Sequence, residues 1–228
     1  MLTPEAWAAA QLGHQFADPA VLTAALTHRS AGRVNYERLE FLGDAVLTLV
    51  VSELLYRAFA ASNEGDLSRY RATLVSGSTL AAIATELGLG EQLRLGGGEL
   101  KSGGFRRGSI LSDALEGVIG AVYVDGGFEA ARTVVGRLYA GRLERLPVPH
   151  ELKDAKTRLQ EELQRRGLPL PAYAVESVSG EPHEQHFAVA CEVASLGLRT
   201  RGEGSSRRRA EQGAAQRLLE VLADETAR

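Results

Sequence analysis

The chain has 228 residues, 44% of them apolar and 24% charged, with a formal net charge of −3. These fractions are ordinary for a folded soluble protein, and the length allows one large domain or two modest ones. The single cysteine, Cys191, excludes an internal disulfide and fits a reducing cytosol.

Other classes are excluded along the chain. The start, MLTPEAWAAAQL, has no basic segment ahead of an apolar core, so it reads as no signal peptide. The longest apolar stretch, Ala45–Leu55, is interrupted by Thr48, Ser52 and Glu53 and is too short to span a bilayer. Residues before position 152 carry 14 basic and 17 acidic side chains, and those after it carry 12 of each. Neither half is basic in bulk, so affinity for nucleic acid would have to come from local clusters. Two exist, Lys101 to Arg107 and Arg207-Arg208-Arg209.

Helical periodicity runs through the first ~145 residues, with Gly and Pro at plausible ends: Gly13, Pro19, Gly32, Gly88, Gly90, Gly96 to Gly98, and Gly126-Gly127. This predicts an all-α domain over 1–146. His28, after an apolar helix, has no evident Ser or Cys nucleophile as partner and reads as a packing or capping residue. The run NYERLEFLGDAVL, residues 35–47, places Glu37, Glu40 and Asp44 in an apolar helical pattern. At about 100° per residue they share one narrow face, while Leu39, Phe41, Leu42, Ala45, Val46 and Leu47 call for burial. Glu64 falls in NEGD, a turn, with Asp66 as N-cap of the next helix. SILSDALEGVIGAVYVDGG, 109–127, is a second apolar helix with Asp113 and Glu116 at i, i+3 on one face.

Each of these acids alone would read as solvated. Together they do not, because both stretches are too apolar for a wide wet face. Like charges beside a core repel and need a counter-charge. Two helices with inward acids could build an all-oxygen site, which suits Mg²⁺ or Mn²⁺ rather than Zn²⁺.

LPVPHEL, 146–152, carries two prolines and reads as a linker. A second domain is expected over 153–225. Asp154–Arg166 is helical, ending at Gly167. AYAVESVSG (172–180) and HFAVACEVA (186–194) alternate as half-buried strands do, and LGLRTRGEG (196–204) is a third strand. Cys191 reads as a small buried strand residue. Ser206–Ala223 returns to helix, with Ser205 or Ser206 as N-cap and three arginines in the first turns. Basic side chains there oppose the helix dipole, while free amides and guanidinium groups together attract phosphate.

ERLEFLGDAVL resembles the signature of the ribonuclease III family. ALTHRS (25–30), EGDLSRYRATLVS (64–76), GELKSGGFRRGSILSDALEGVIGAVYVDGG (98–127), KTRLQEELQ (156–164) and GSSRRRAEQGAAQRLL (204–219) fit as well, in the family's order. The likeness is to the short bacterial type and covers nearly the whole chain. It implies an all-α endonuclease domain followed by an α-β-β-β-α double-stranded-RNA-binding domain, in a cytoplasmic enzyme.

The implied activity is Mg²⁺-assisted hydrolysis of double-stranded RNA, with Mn²⁺ as a substitute ion. The products carry 5′-phosphate and 3′-hydroxyl ends and short 3′ overhangs, and the substrates are ribosomal RNA precursors and other structured RNAs. By resemblance Glu40, Asp44, Asp113 and Glu116 are the metal-site acids. Asp44 and Glu116 lead the catalytic set, with Glu37 and Glu64 less direct. Lys101, Arg106 and Arg107 would meet phosphates near the cut. Thr157, Gln160, Glu161 and His183 match minor-groove contacts, where 2′-hydroxyls separate RNA from DNA. Ser205, Ser206, Arg207 and Arg208 match the phosphate-binding helix start, where the family usually has lysines in place of the two arginines. Gly213 stands where the family favours a better helix former, at up to ~1 kcal/mol. Phe41 matches an aromatic that packs across a homodimer interface. The rival readings are a non-catalytic double-stranded-RNA-binding regulator and a DNA-directed nuclease.

Overall fold

The computed structural model describes residues 2–146, 153–181 and 184–226, with side chains to 224. The chain forms two compact units, Met1–Leu146 and Pro147–Arg228. Apart from Leu146, the expected linker lies outside the described residues, as does His183.

In the first unit, four helices start where a side chain takes an orphan amide. Thr3, Asp18, Asn63 and Ser76 each accept from a backbone N–H two or three residues on. They open α1 (Pro4–Trp7), α2 (Pro19–Ala25), α4 (Glu64–Leu74) and α5 (Gly77–Glu86). The expectation for Asp66 is therefore corrected: Asn63 is the cap. Asp66 sits in the first turn and pairs with Arg69 at 2.7 Å. Glu64 opens the helix rather than lying in a turn.

Two long helices, α3 (Glu37–Ala58) and α7 (Gly108–Leu143), form the centre. Leu47, Val50, Val51 and Leu55 of α3 are buried, as are Leu115, Val118, Ile119 and Val122 of α7. Each such side chain contributes about 1.5–3 kcal/mol on burial. The apolar pattern around the acids overstates that burial, however. Val46 and Leu47 are inside, but Phe41 is 82% exposed and Ala45 is exposed too.

Helix α7 does not stop at Gly126-Gly127. Gly127 adopts φ 74° and ψ −174°, and helix resumes beyond it, so the pair marks a kink. Gly96 to Gly98 lead into a short helix, α6 (Gly97–Lys101), followed by a 3₁₀ turn at Gly104–Arg106. The basic stretch is thus folded rather than a plain loop. Among the described residues the unit's one extended pairing is a parallel bridge, Thr27 to Arg94.

In the second unit, Asp154 caps α8 (Ala155–Arg165) by accepting from Thr157 N at 2.9 Å. Three antiparallel strands follow in the order β1 (Ala172–Ser179), β2 (His186–Val193) and β3 (Leu198–Gly204), then α9 (Arg207–Thr226). The helices cover one face of the sheet, burying Leu159, Leu163, Cys191, Val193, Ala214 and Leu218 together. Cys191 is the buried strand residue expected.

Strand β1 departs from the half-buried expectation. It is an edge strand with an irregular register between Val175 and Ser177, and only Tyr173 is partly covered. Across the open face Glu176 of β1 takes Arg199 at 2.5 Å and Arg201 at 3.3 Å, both from β3. The small Ala188 and Ala190 of the central strand leave room beneath those side chains. Among the described residues, no helix is long and apolar enough to cross a membrane.

Candidate metal centre and nucleic-acid interface

Helices α3 and α7 cross with their backbones in contact. A Cβ on Gly43 would run into the Glu116 carbonyl, and one on Gly120 into the Leu39 carbonyl. This lack of side chains at the crossing brings carboxylates from two distant segments to one place. One oxygen each of Glu40, Asp113 and Glu116 lie within 4.8 Å of one another.

The electrostatics of this group are strained. Burial, then the charges of Asp44, Glu40 and Asp113, push the Glu116 carboxyl up from 4.5 to about 7. Glu40 is raised as well, by burial, Asp113 and Glu37, with Arg29 opposing. Tyr36, buried at the start of α3, has its hydroxyl pushed far up by burial and by Asp113 and Glu40. Both carboxyls are raised first by burial and then by neighbouring like charge beyond what Arg29 offsets, which leaves a deficit of positive charge. A set of carboxylate oxygens with that deficit fits a hard divalent cation.

Of the acids singled out by sequence, three therefore meet directly. Asp44 is exposed and falls outside the 4.8 Å group, yet its charge is the largest acting on Glu116. Glu37 lines the adjoining cavity, half exposed and 3.6 Å from Arg29. Glu64, at the first position of α4, accepts from Ser68 Oγ at 2.7 Å. It is not among the described residues that line that cavity.

The cavity has a volume of about 330 Å³ and mixes signs. Glu37, Glu40 and Asp113 line it together with Arg29, Arg107 and His28. Arg107 is held at the rim by Glu99, 2.8 Å away, and by Ser102 Oγ at 3.0 Å. Arg106 lies over the Phe105 ring at 5.0 Å, and Lys101 is exposed at the end of α6.

His28 does have a serine neighbour, Ser30, with Oγ 2.7 Å from Nδ1. Ser30 N–H also donates to Nδ1 at 3.2 Å, which assigns the ring proton to Nε2. Gly96 N–H donates to the same Oγ at 2.9 Å. The pair ties the turn after α2 to the start of α6, as a capping role implies. The glycine contacts and the Glu99 anchor are the features that sequence reasoning missed. The signal for the first was present as Gly43 and Gly120 in otherwise apolar helices.

In the second unit, Thr157, Gln160 and Arg208 line one surface hollow with Tyr173. Glu161 lies on the same helix and is held by Lys153 at 2.7 Å. Ser206 is the cap of α9: its Oγ accepts from Arg209 N at 3.3 Å. Ser205 Oγ instead accepts from the Arg209 guanidinium at 2.9 Å. Arg207 is drawn to Glu211 at 2.8 Å, and Glu211, almost fully buried, also holds Lys156 at 2.6 Å.

A last feature of the first unit is apolar and exposed. Phe41, Leu49 and Tyr56 stand out along α3 at 82%, 56% and 74% exposure. Separately, Val21, Val34, Leu39, Leu42 and Val124, with Arg33, Glu37 and Arg38, line a groove of about 720 Å³.

A carboxylate centre set between two helices, joined to an α-β-β-β-α unit with a basic helix start, defines a metal-dependent nuclease that carries an RNA-binding domain. Comparison with known proteins agrees for both units. Residues 18–143 match the family described as ribonuclease-III-like, and residues 155–222 match the double-stranded RNA binding motif. Ribonuclease 3 of Vibrio cholerae is 55% identical over 212 residues, which cover 93% of this chain and 94% of that protein. The same enzyme of Methylococcus capsulatus is 56% identical over 218 residues, 96% of this chain and 95% of that protein. A solved nuclease domain of ribonuclease III from Campylobacter jejuni superposes with a TM-score of 0.58. It is 47% identical and covers 59% of this chain and 95% of its own, and it is described for flexibility in the region involved in dimer formation.

The chain belongs to the ribonuclease III family, endoribonucleases specific for double-stranded RNA.

Proposed function

We propose that the chain cuts RNA duplexes at the carboxylate group between α3 and α7, with Mg²⁺ as its working ion and Mn²⁺ as a substitute. The carrying observation is the meeting of Glu40, Asp113 and Glu116 within 4.8 Å, with the Glu116 carboxyl raised to about 7. These three and Asp44 would hold the ion, which would supply polarisation of the scissile phosphate and a more acidic water as nucleophile.

The chain's own residues bind and orient. Asp44 and Glu116 fix the geometry nearest the reacting phosphate. Glu37 orients water from the cavity wall, steadied by Arg29. Glu64 contributes from the start of α4. Lys101, Arg106 and Arg107 take backbone phosphates beside the cut.

The units 1–146 and 153–225 act as separate domains. In the second, Thr157, Gln160 and Glu161 read 2′-hydroxyls across the minor groove, with His183 as a further contact. Ser205, Ser206, Arg207 and Arg208 take phosphate at the start of α9. Phe41 packs against a second copy of the chain, because its large apolar side chain stands in solvent in line with the exposed Leu49 and Tyr56 of the same helix. A two-fold dimer then sets one centre on each RNA strand. The products carry 5′-phosphate and 3′-hydroxyl ends with short 3′ overhangs. Ribosomal RNA precursors and structured messenger RNAs in the cytoplasm are the substrates.

The test is incubation of the purified chain with a labelled RNA duplex and a matched DNA duplex, each with Mg²⁺ and with chelator. Cleavage of RNA alone, abolished by chelator, is expected. Binding without cleavage in Mg²⁺ would leave a regulator, and equal cleavage of DNA would reject the RNA assignment.

A further inference from the structure

The mixed cavity beside the carboxylates has cationic rim groups already engaged by acids of the same chain. Arg107 reaches Glu99 at 2.8 Å and Ser102 Oγ at 3.0 Å. Glu99 lies in α6 and Arg107 immediately precedes α7, so the contact bridges the two helices beside the opening. The pair is partly solvated, with the Arg107 side chain 45% exposed and that of Glu99 29%.

We propose that Glu99 is a stand-in for an RNA phosphate: it holds Arg107 at the cavity rim until the duplex arrives, then yields it. This rests on the reading that RNA is cut at this cavity, and it adds the device by which a rim guanidinium is kept in place. The chemistry favours the exchange. A carboxylate and a phosphate offer a guanidinium the same paired oxygen acceptors. A solvated ion pair is weakly held, so giving it up costs little. Arg107 does not need to travel, because Ser102 Oγ holds its other nitrogen.

The pair also has a consequence for selectivity. An unpaired arginine beside an acidic cavity would collect any polyanion. One held by Glu99 already has a carboxylate beside it, so a competing anion must displace that carboxylate to reach the guanidinium. Arg29 and Glu37 form a looser version of the same arrangement at 3.6 Å, with both side chains more than half exposed.

The experiment is a double-mutant cycle on the full chain, read as RNA-duplex dissociation constants in chelator at several salt concentrations. Glu99→Gln keeps the shape and frees Arg107, so binding should tighten, by about fivefold at most. Arg107→Gln should weaken it and flatten the salt dependence by up to about one unit. In the double variant the gain from Glu99→Gln should vanish, because no guanidinium remains to be freed. A gain of equal size with or without Arg107 would overturn the proposal, since it would report only the loss of a negative charge. No gain at all from Glu99→Gln in a variant with unchanged thermal unfolding would overturn it too. A wild type that fails to bind the duplex would reject the RNA reading itself, whereas either of the preceding results leaves that reading standing.

Discussion

Replacing Glu116 by glutamine tests the carboxylate centre through stability before any RNA is added. In the metal-free protein its carboxyl is raised from 4.5 to about 7, first by burial and then by Asp44, Glu40 and Asp113. An acid whose folded pKa is raised holds its proton more tightly in the native state. Its penalty is absent below the unfolded pKa, grows as pH rises from about 4.5, and is full above about 7. A shift of this size corresponds to about 3 kcal/mol, and screening by water at a partly open site reduces that to roughly 1–2 kcal/mol. Glu116→Gln removes the titration. In chelator at pH 8 the variant should therefore unfold several degrees higher than wild type, at about 2–4 °C per kcal/mol. At pH 4.5 the difference should nearly close. Adding Mg²⁺ should reverse the order, since ion binding stabilises wild type more. Cleavage should fall steeply while RNA binding persists. A variant no more stable than wild type at pH 8 in chelator would refute the claim of unsatisfied negative charge. Near-normal cleavage at low Mg²⁺ would remove Glu116 from the site.

Other outcomes are expected. Arg207→Ala combined with Arg208→Ala should weaken duplex binding at moderate salt, and titration should show the salt slope shallower by about one unit or less for each phosphate no longer neutralised; an unchanged slope would put the main phosphate-binding groups elsewhere. Phe41→Glu should shift a dimer to a monomer in light scattering at micromolar concentration, and a wild type already monomeric there would reject the interface. Gly43→Ala forces a methyl into the Glu116 carbonyl and should cost about 1–3 kcal/mol or more in thermal unfolding, with loss of cleavage; a variant as stable and active as wild type would deny that the close helix crossing builds the site.

The elements of the second unit were legible because alternation and turn signals are local, and the three strands fall within two residues of their expected limits. What alternation did not carry was position in the sheet: β1 has the pattern of a half-buried strand but lies at the edge of a sheet covered on one face, so Val175 and Val178 stay exposed. In the first unit periodicity placed Glu40 and Glu116 on core-facing sides of their helices. It gave no angle between those helices, so the closeness of Glu40 to both Asp113 and Glu116 depended on information outside either segment. Asp66 and Asn63 are chemically equivalent as caps, and only the chain's path chose between them. Phe41 satisfied the apolar pattern of α3 and still faces water, because periodicity alone does not tell a core-facing apolar position from an exposed one.

The glycine crossing and the raised carboxyl of Glu116 are one design. Mutual repulsion among Glu40, Asp113, Glu116 and Asp44 would be relieved by a small separation of α3 and α7. The backbones at Gly43 and Gly120 are in contact, and Leu47, Val50, Leu115 and Ile119 are buried beside them. Separation would expose that core, at a cost of about 1.5–3 kcal/mol for each side chain uncovered. Core burial in these two helices thus outweighs the repulsion and keeps the carboxylates together. A cation held there would meet ligands whose positions are set by helix packing rather than by the ion, so it would gain electrostatic energy with little ordering of the protein.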